Sequence, residues 1–299
     1  MSVVGLRIID FHAHFVEGWK GEAPAGPVGE YVRQRWQRMR EEWNLPEPVW
    51  GLDRRELARL WAEEVARHGL ERVVFVTGAS NHALSEVVAA CPDRFSGLAH
   101  HDLNGPDPAG ELRRAVDELG LSGLKVLAPR LQRPFEDPSL EPVWEFLSAR
   151  RLPVVIHFGL LGHGGGLPHP LTSPLTLAAT ALRYPDIPFV VPHFGCGYWG
   201  ELLQLCWNCP NVYVDTSGSN QWVRWMPYEL DLEALFRKAY QTVGPARIIF
   251  GTDSSWFPRG FAVRYLEEQL RVCRWLGIKG PDLEAIFYGN AARLLGLKV

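Results

Sequence analysis

Short apolar runs rich in Val, Ile and Phe recur along the chain, separated by segments whose apolar residues return every three or four positions and closed by Gly, Pro or Asn. The runs predict eight strands, near 6–10, 72–77, 95–99, 123–127, 153–158, 189–193, 212–216 and 247–251. Helical patterns fall between most of them, near 54–68, 82–90, 109–119, 140–150, 175–184, 198–206 and 232–242. Strand-then-helix alternation implies a parallel sheet, and eight such units in 299 residues predict an α/β fold, a distorted TIM (β/α)8 barrel. A doubly wound open sheet is the alternative, disfavoured because no glycine-rich phosphate loop follows any strand.

No repeat, low-complexity tract or linker divides the chain, so 1–299 is expected to be one barrel domain. One departure is a long insertion after the first strand, 16–51, which holds Trp19, Trp36, Trp43 and Trp50 with Arg33, Arg35, Arg38 and Arg40. Its helix, near 28–43, suits a cap over a site and a subunit contact equally well.

Composition narrows the function class. With 46% hydrophobic and 22% charged residues the chain has an ordinary globular make-up. A net charge of -3 without like-charge blocks gives no footprint for nucleic acid or a membrane surface. No apolar run reaches spanning length and no signal-peptide order opens the chain, so a cytoplasmic location is expected. Five cysteines are too irregularly placed for a disulfide framework, and Cys206 and Cys209 read as helix-end packing rather than a redox pair.

Barrel enzymes place their chemistry at the C-terminal ends of the strands. There the first run ends Ile9-Asp-Phe-His-Ala-His14, the fifth in His157, the sixth in His193 and the eighth in Asp253. Strict alternation puts Asp10, His12 and His14 on one face. An isolated His-x-His pair is more simply a hydrogen-bonded strand end; four strand-end histidines and an aspartate on one rim form a donor set for zinc, manganese, iron or cobalt.

Taken in order, Ile9-Asp-Phe-His-Ala-His14, Gly123-Leu-Lys125, Leu152-Pro-Val-Val-Ile-His157, Pro192-His-Phe-Gly195, Asn211-Val-Tyr-Val-Asp-Thr-Ser217, Phe250-Gly-Thr-Asp253 and Gly289-Asn-Ala-Ala-Arg-Leu-Leu295 make the chain resemble the amidohydrolase superfamily. The resemblance is to its amidohydrolase-2 branch, which includes aminocarboxymuconate-semialdehyde decarboxylase and related hydrolases. It implies His12, His14, His157 and Asp253 as ligands of one divalent metal ion, zinc first and Mn2+, Fe2+ or Co2+ as alternatives. It also implies His193 and Asp253 as catalytic residues, a small-molecule substrate and a homodimer. Lys125 is expected in a non-ligand role, with a bridge between two metals as the alternative. Asp10 is expected to orient a histidine from behind. His100 and His101 read as hydrogen-bonded strand ends, and His163 and His169 sit in a glycine-rich loop expected over the site.

These residues predict a metal-dependent hydrolase in which activated water attacks the substrate. A metal-dependent decarboxylase is the alternative and a catalytically inactive binding barrel the second. Decarboxylation also requires a cation for the substrate acid, from Arg130, Arg259 or an insertion arginine. Trp199, Trp222, Trp225, Trp256 and Phe257 near the expected rim suggest a planar or apolar substrate.

Overall fold

A computed structural model describes residues 5–18, 26–161, 170–218 and 222–298. Trp19, His163 and His169 lie outside the described residues. Eight strands, β1 (Ile9–His14), β2 (Arg72–Thr77), β3 (Phe95–Gly97), β4 (Leu124–Leu127), β5 (Val154–His157), β6 (Phe189–Val191), β7 (Val212–Asp215) and β8 (Ile248–Ile249), all pair in parallel. They form a three-stranded and a five-stranded sheet. Single bridges, Ala99 to Leu124 and Ala13 to Ser254, join the sheets at both seams. The neighbouring Lys125 N–H donates to the Ala99 carbonyl (2.7 Å) and the Phe11 N–H to that of Phe250 (3.0 Å). The result is the distorted barrel that the alternation predicts.

Helices α1 (Pro27–Trp43), α2 (Arg54–Arg67), α3 (Asn81–Ala90), α4 (Pro108–Asp117), α5 (Glu141–Arg150), α6 (Ala178–Arg183), α7 (Trp199–Asn208) and α8 (Leu232–Thr242) follow within a few residues of expectation. Local chemistry sets several starts: the Asp53, Ser80, Asp107 and Asp231 side chains each accept a backbone N–H of the first turn. Beyond the eighth strand run α9 (Val263–Trp275), α10 (Pro281–Glu284), a π-turn (Ala285–Gly289) and α11 (Asn290–Leu294). The closing Gly289-Asn-Ala-Ala motif serves the fold, since the Asn290 amide donates to the carbonyls of Pro245 and Ile248, both at 2.7 Å, and pins α11 against β8. Cys206 and Cys209 are free thiols at the end of α7, and burial pushes Cys206 up to about 12.

Two apolar cores result from strand alternation. The larger lies between the sheets and the helices; the smaller fills the barrel with Ile9, Phe11, Val74, Val76, Leu98, Val155, Val190 and Ile249, plugged by Tyr288, Ala291 and Ala292. Trp61 of α2 is buried with its ring edge-on to Phe75 of β2, 5.0 Å between centroids. Trp61→Ala is expected to cost about 3–5 kcal/mol by urea unfolding; a loss below about 1 kcal/mol would show that α2 does not anchor there.

β1 departs from simple alternation. Ile9 and Phe11 belong to the inner core, yet Ala13 and Phe15 belong to the outer one, so the inward phase changes at the register slip between Asp10 and Ala13. His12 and His14 consequently face the barrel mouth, whereas Asp10 is turned to the β1–β8 seam. Its carboxylate accepts the N–H groups of His12 (3.1 Å) and Thr252 (3.0 Å). Burial raises it to about 7 against those donors.

Candidate active site

The five residues singled out from sequence meet at the C-terminal mouth of the barrel. His12 is fully buried; its Nδ1 lies 2.6 Å from Asp215 Oδ2, so the ring donates there. Its Nε2 is buried without a hydrogen-bond partner, 3.8 Å from Asp253 Oδ1. Burial holds the ring well below its ordinary range, so it is neutral and presents a lone pair at Nε2. His14, two residues on, has Nδ1 at 2.6 Å from Thr77 Oγ1 and Nε2 at 3.0 Å from Asp253 Oδ1.

Asp253 follows β8 in a left-handed conformation (φ 64), its N–H donating to the His12 carbonyl at 2.8 Å. Non-glycine residues hold such a φ at a cost, and only where the surroundings fix it. Burial opposes the Asp253 charge, but His193, His14 and His12 outweigh it and hold the carboxyl well below the usual range. It is an anion facing imidazoles.

His157 ends β5 and His193 opens the turn after β6, their rings 5.2 Å apart; His193 is 5.0 Å from the His12 ring. His193, Phe194 and Cys196 all have positive φ, a tight turn that swings the His193 ring over the mouth. Its Nδ1 donates to the Ser217 carbonyl at 2.9 Å, leaving Nε2 for the centre, and burial lowers its pKa. Donor atoms of His12, His193 and Asp253 lie within 4.8 Å of one another. This trio shares His12 and Asp253 with the ligand set expected from sequence and adds His193, for which catalysis is expected.

Asp215 was not singled out from sequence, although it ends the seventh strand within the Asn211–Ser217 motif. It, rather than Asp10, is the carboxylate behind an imidazole. Burial raises it to about 6. Two glycines make room: a Cβ at Gly251 would come within 2.8 Å of Asp215 and 2.9 Å of His12, and one at Gly218 within 2.8 Å of Asp253. Asp215→Asn is expected to weaken divalent-metal affinity about 10–100-fold by competitive chelator titration, because the His12 tautomer is no longer fixed. Unchanged affinity would remove Asp215 from that role.

Above these residues lies a cavity of about 650 Å³. Tyr31, Trp36 and Trp43 of α1 roof it, and Trp222 and Trp225 close one side. The stack of Trp43 on Tyr265 (5.8 Å) and the contact of Trp36 with Trp256 (6.2 Å) fix the roof. An ion pair of Arg224 with Glu42 ties it to the segment after β7. Arg35, Arg38 and Arg224 line the cavity, whereas Arg130 and Arg259 do not. Trp199 packs instead on Phe194, and His100 and His101 hydrogen-bond backbone carbonyls.

A parallel barrel with imidazoles and a carboxylate at its strand ends is the architecture of a metal-dependent enzyme. The sequence profile of the family described as amidohydrolase matches residues 9–297, and the chain belongs to that family. A γ-resorcylate decarboxylase of Rhodococcus jostii (strain RHA1) is 46% identical over 57 residues, 19% of this chain and 17% of that protein. The chain covers less than a fifth of the length of the curated relatives it matches. Among solved structures, a 2,6-dihydroxybenzoate decarboxylase complexed with 2,6-dihydroxybenzoate superposes with a TM-score of 0.65 at 21% identity, covering 98% of this chain and 100% of that one. A 5-carboxyvanillate decarboxylase from Novosphingobium aromaticivorans DSM 12444, complexed with manganese and a nitrobenzoic acid, superposes with a TM-score of 0.63 at 17% identity, covering 98% and 97%. No helix among the described residues is long and apolar enough to cross a membrane.

Proposed function

We propose that the protein is a metal-dependent, non-oxidative decarboxylase of a small aromatic acid. The observation that carries this reading is the roof: aromatic rings enclose a cavity whose cations stand opposite a carboxylate–imidazole floor. A planar anion suits such walls, and decarboxylation needs a cation near the substrate acid. Hydrolysis, the first reading of the sequence, uses the same floor but has no special need for the roof cations.

His12, His14, His157 and Asp253 would hold one divalent ion, and the buried, unpartnered Nε2 of His12 fits that role. Nitrogen donors with one carboxylate suit zinc or manganese. When bound, the ion supplies Lewis acidity for a substrate oxygen. The remaining work falls to the chain. Trp36, Trp43 and Trp222 hold the ring flat, and Arg35 offsets its charge. His193 takes a proton at Nε2 from solvent and delivers it to the ring carbon as the bond to the carboxyl carbon breaks. The electron pair stays with the ring and carbon dioxide departs.

The test is to supply the manganese- or zinc-loaded protein with hydroxybenzoates and with a carboxylated lactone in 18O-water. Carbon dioxide release with no 18O in the organic product supports the proposal; 18O-labelled product without carbon dioxide overturns it in favour of hydrolysis.

A further inference from the structure

Lys125 is a charged strand residue at the cavity floor that the reaction above leaves unused. On β4, Leu124 and Val126 pack outward, so Lys125 points into the barrel. Strand register aligns it with Val155, and Val155 with Val190, two members of the inner apolar core. An ammonium thus replaces an aliphatic side chain in that row. It is 4% exposed and borders the cavity together with His12, His193 and Asp253.

Among the described residues no group hydrogen-bonds its Nζ and no carboxylate lies within ion-pair distance; Asp215 and Asp253 act on it only from farther away. Taking an ammonium out of water without a partner costs several kcal/mol. Burial accordingly pulls Lys125 down to about 8, which still leaves it mainly protonated at neutral pH. An ammonium carries three donors and no acceptor. Here the acceptor has to come from whatever fills the cavity.

We propose that Lys125 is a substrate-binding and specificity-determining residue whose ammonium receives an acidic oxygen, carboxylate or phenolate, of the bound molecule at the floor of the cavity. The inference rests on the reading of the cavity as a site for an organic anion and adds the residue that reads the charge. It sets Lys125 against Arg35 of α1, which also borders the cavity and has no carboxylate partner among the described residues. A neutral analogue of the same shape would leave the ammonium buried and unpaired, so the site discriminates against it.

The experiment is calorimetric binding of formate and of 2,6-dihydroxybenzoate to metal-loaded wild type, Lys125→Met and Lys125→Arg, with metal content and melting temperature measured in parallel. Lys125→Met is expected to weaken both anions at least tenfold, with one metal per chain retained and a melting temperature no lower than wild type. Lys125→Arg is expected to restore part of the loss. Formate binding that depends on Lys125 without any dihydroxybenzoate binding would uphold this role while the aromatic reading failed. Equal binding to wild type and Lys125→Met, or no anion binding at all, would overturn it. So would two metals in wild type falling to one or none in Lys125→Met, which would make the lysine a metal bridge.

Discussion

Asp253→Ala is expected to lose bound metal and to lower turnover by about 10³-fold or more. The carboxylate is the only acid of the His12, His193 and Asp253 trio, and three histidines hold it ionised at all ordinary pH values. Removing it leaves His12 and His14 without the charge that a cation would share. Asp253→Asn keeps the volume and the left-handed backbone while deleting the charge, so it separates loss of metal from loss of fold. Both variants should melt as cooperatively as wild type, with elemental analysis showing the metal gone. Full metal content in either variant would remove Asp253 from the ligand set.

His193→Gln should behave differently. It is expected to keep its metal and to lose about 10²–10⁴-fold in kcat, the usual contribution of a positioned proton-transfer group. The glutamine amide can still donate toward the Ser217 carbonyl, which His193 Nδ1 engages at 2.9 Å, but it cannot carry a proton to substrate. Because burial holds His193 below the ordinary imidazole value of 6.5 and the ring must carry the proton it delivers, the limb over which wild-type kcat falls with rising pH should lie below that pH and vanish in the variant. Parallel measurement of kcat and bound metal decides between two roles. Metal lost together with activity would make His193 a ligand, the alternative that its place beside His12 and Asp253 leaves open.

Much of this site is legible in the sequence because barrel strands end where chemistry begins. His12, His14, His157, His193 and Asp253 each follow an apolar run, and a parallel barrel collects those ends on one rim. The orienting groups are harder to read. Strict alternation puts Asp10 in line with His12, but the register slip in β1 sends Asp10 to the seam, and Asp215, from a strand more than 200 residues away, orients the ring instead. A local pattern holds no such distant pairing. The roof shows the same limit: the tryptophans and arginines of 16–51 suit a cap or an interface, and it takes contacts such as Trp43 on Tyr265, Trp36 against Trp256 and the Arg224–Glu42 ion pair to bring that helix over the cavity. Arg35 is distinguished from Arg33 and Arg40 because Glu30 and Glu47 pair with those two.

The most direct measurement is metal stoichiometry by elemental analysis of protein purified without added metal, alongside His12→Ala and His157→Ala. One zinc or manganese per wild-type chain, lost from both variants, is the expected result. No metal in wild type even after it is supplied, or full occupancy in the variants, would contradict the proposed centre.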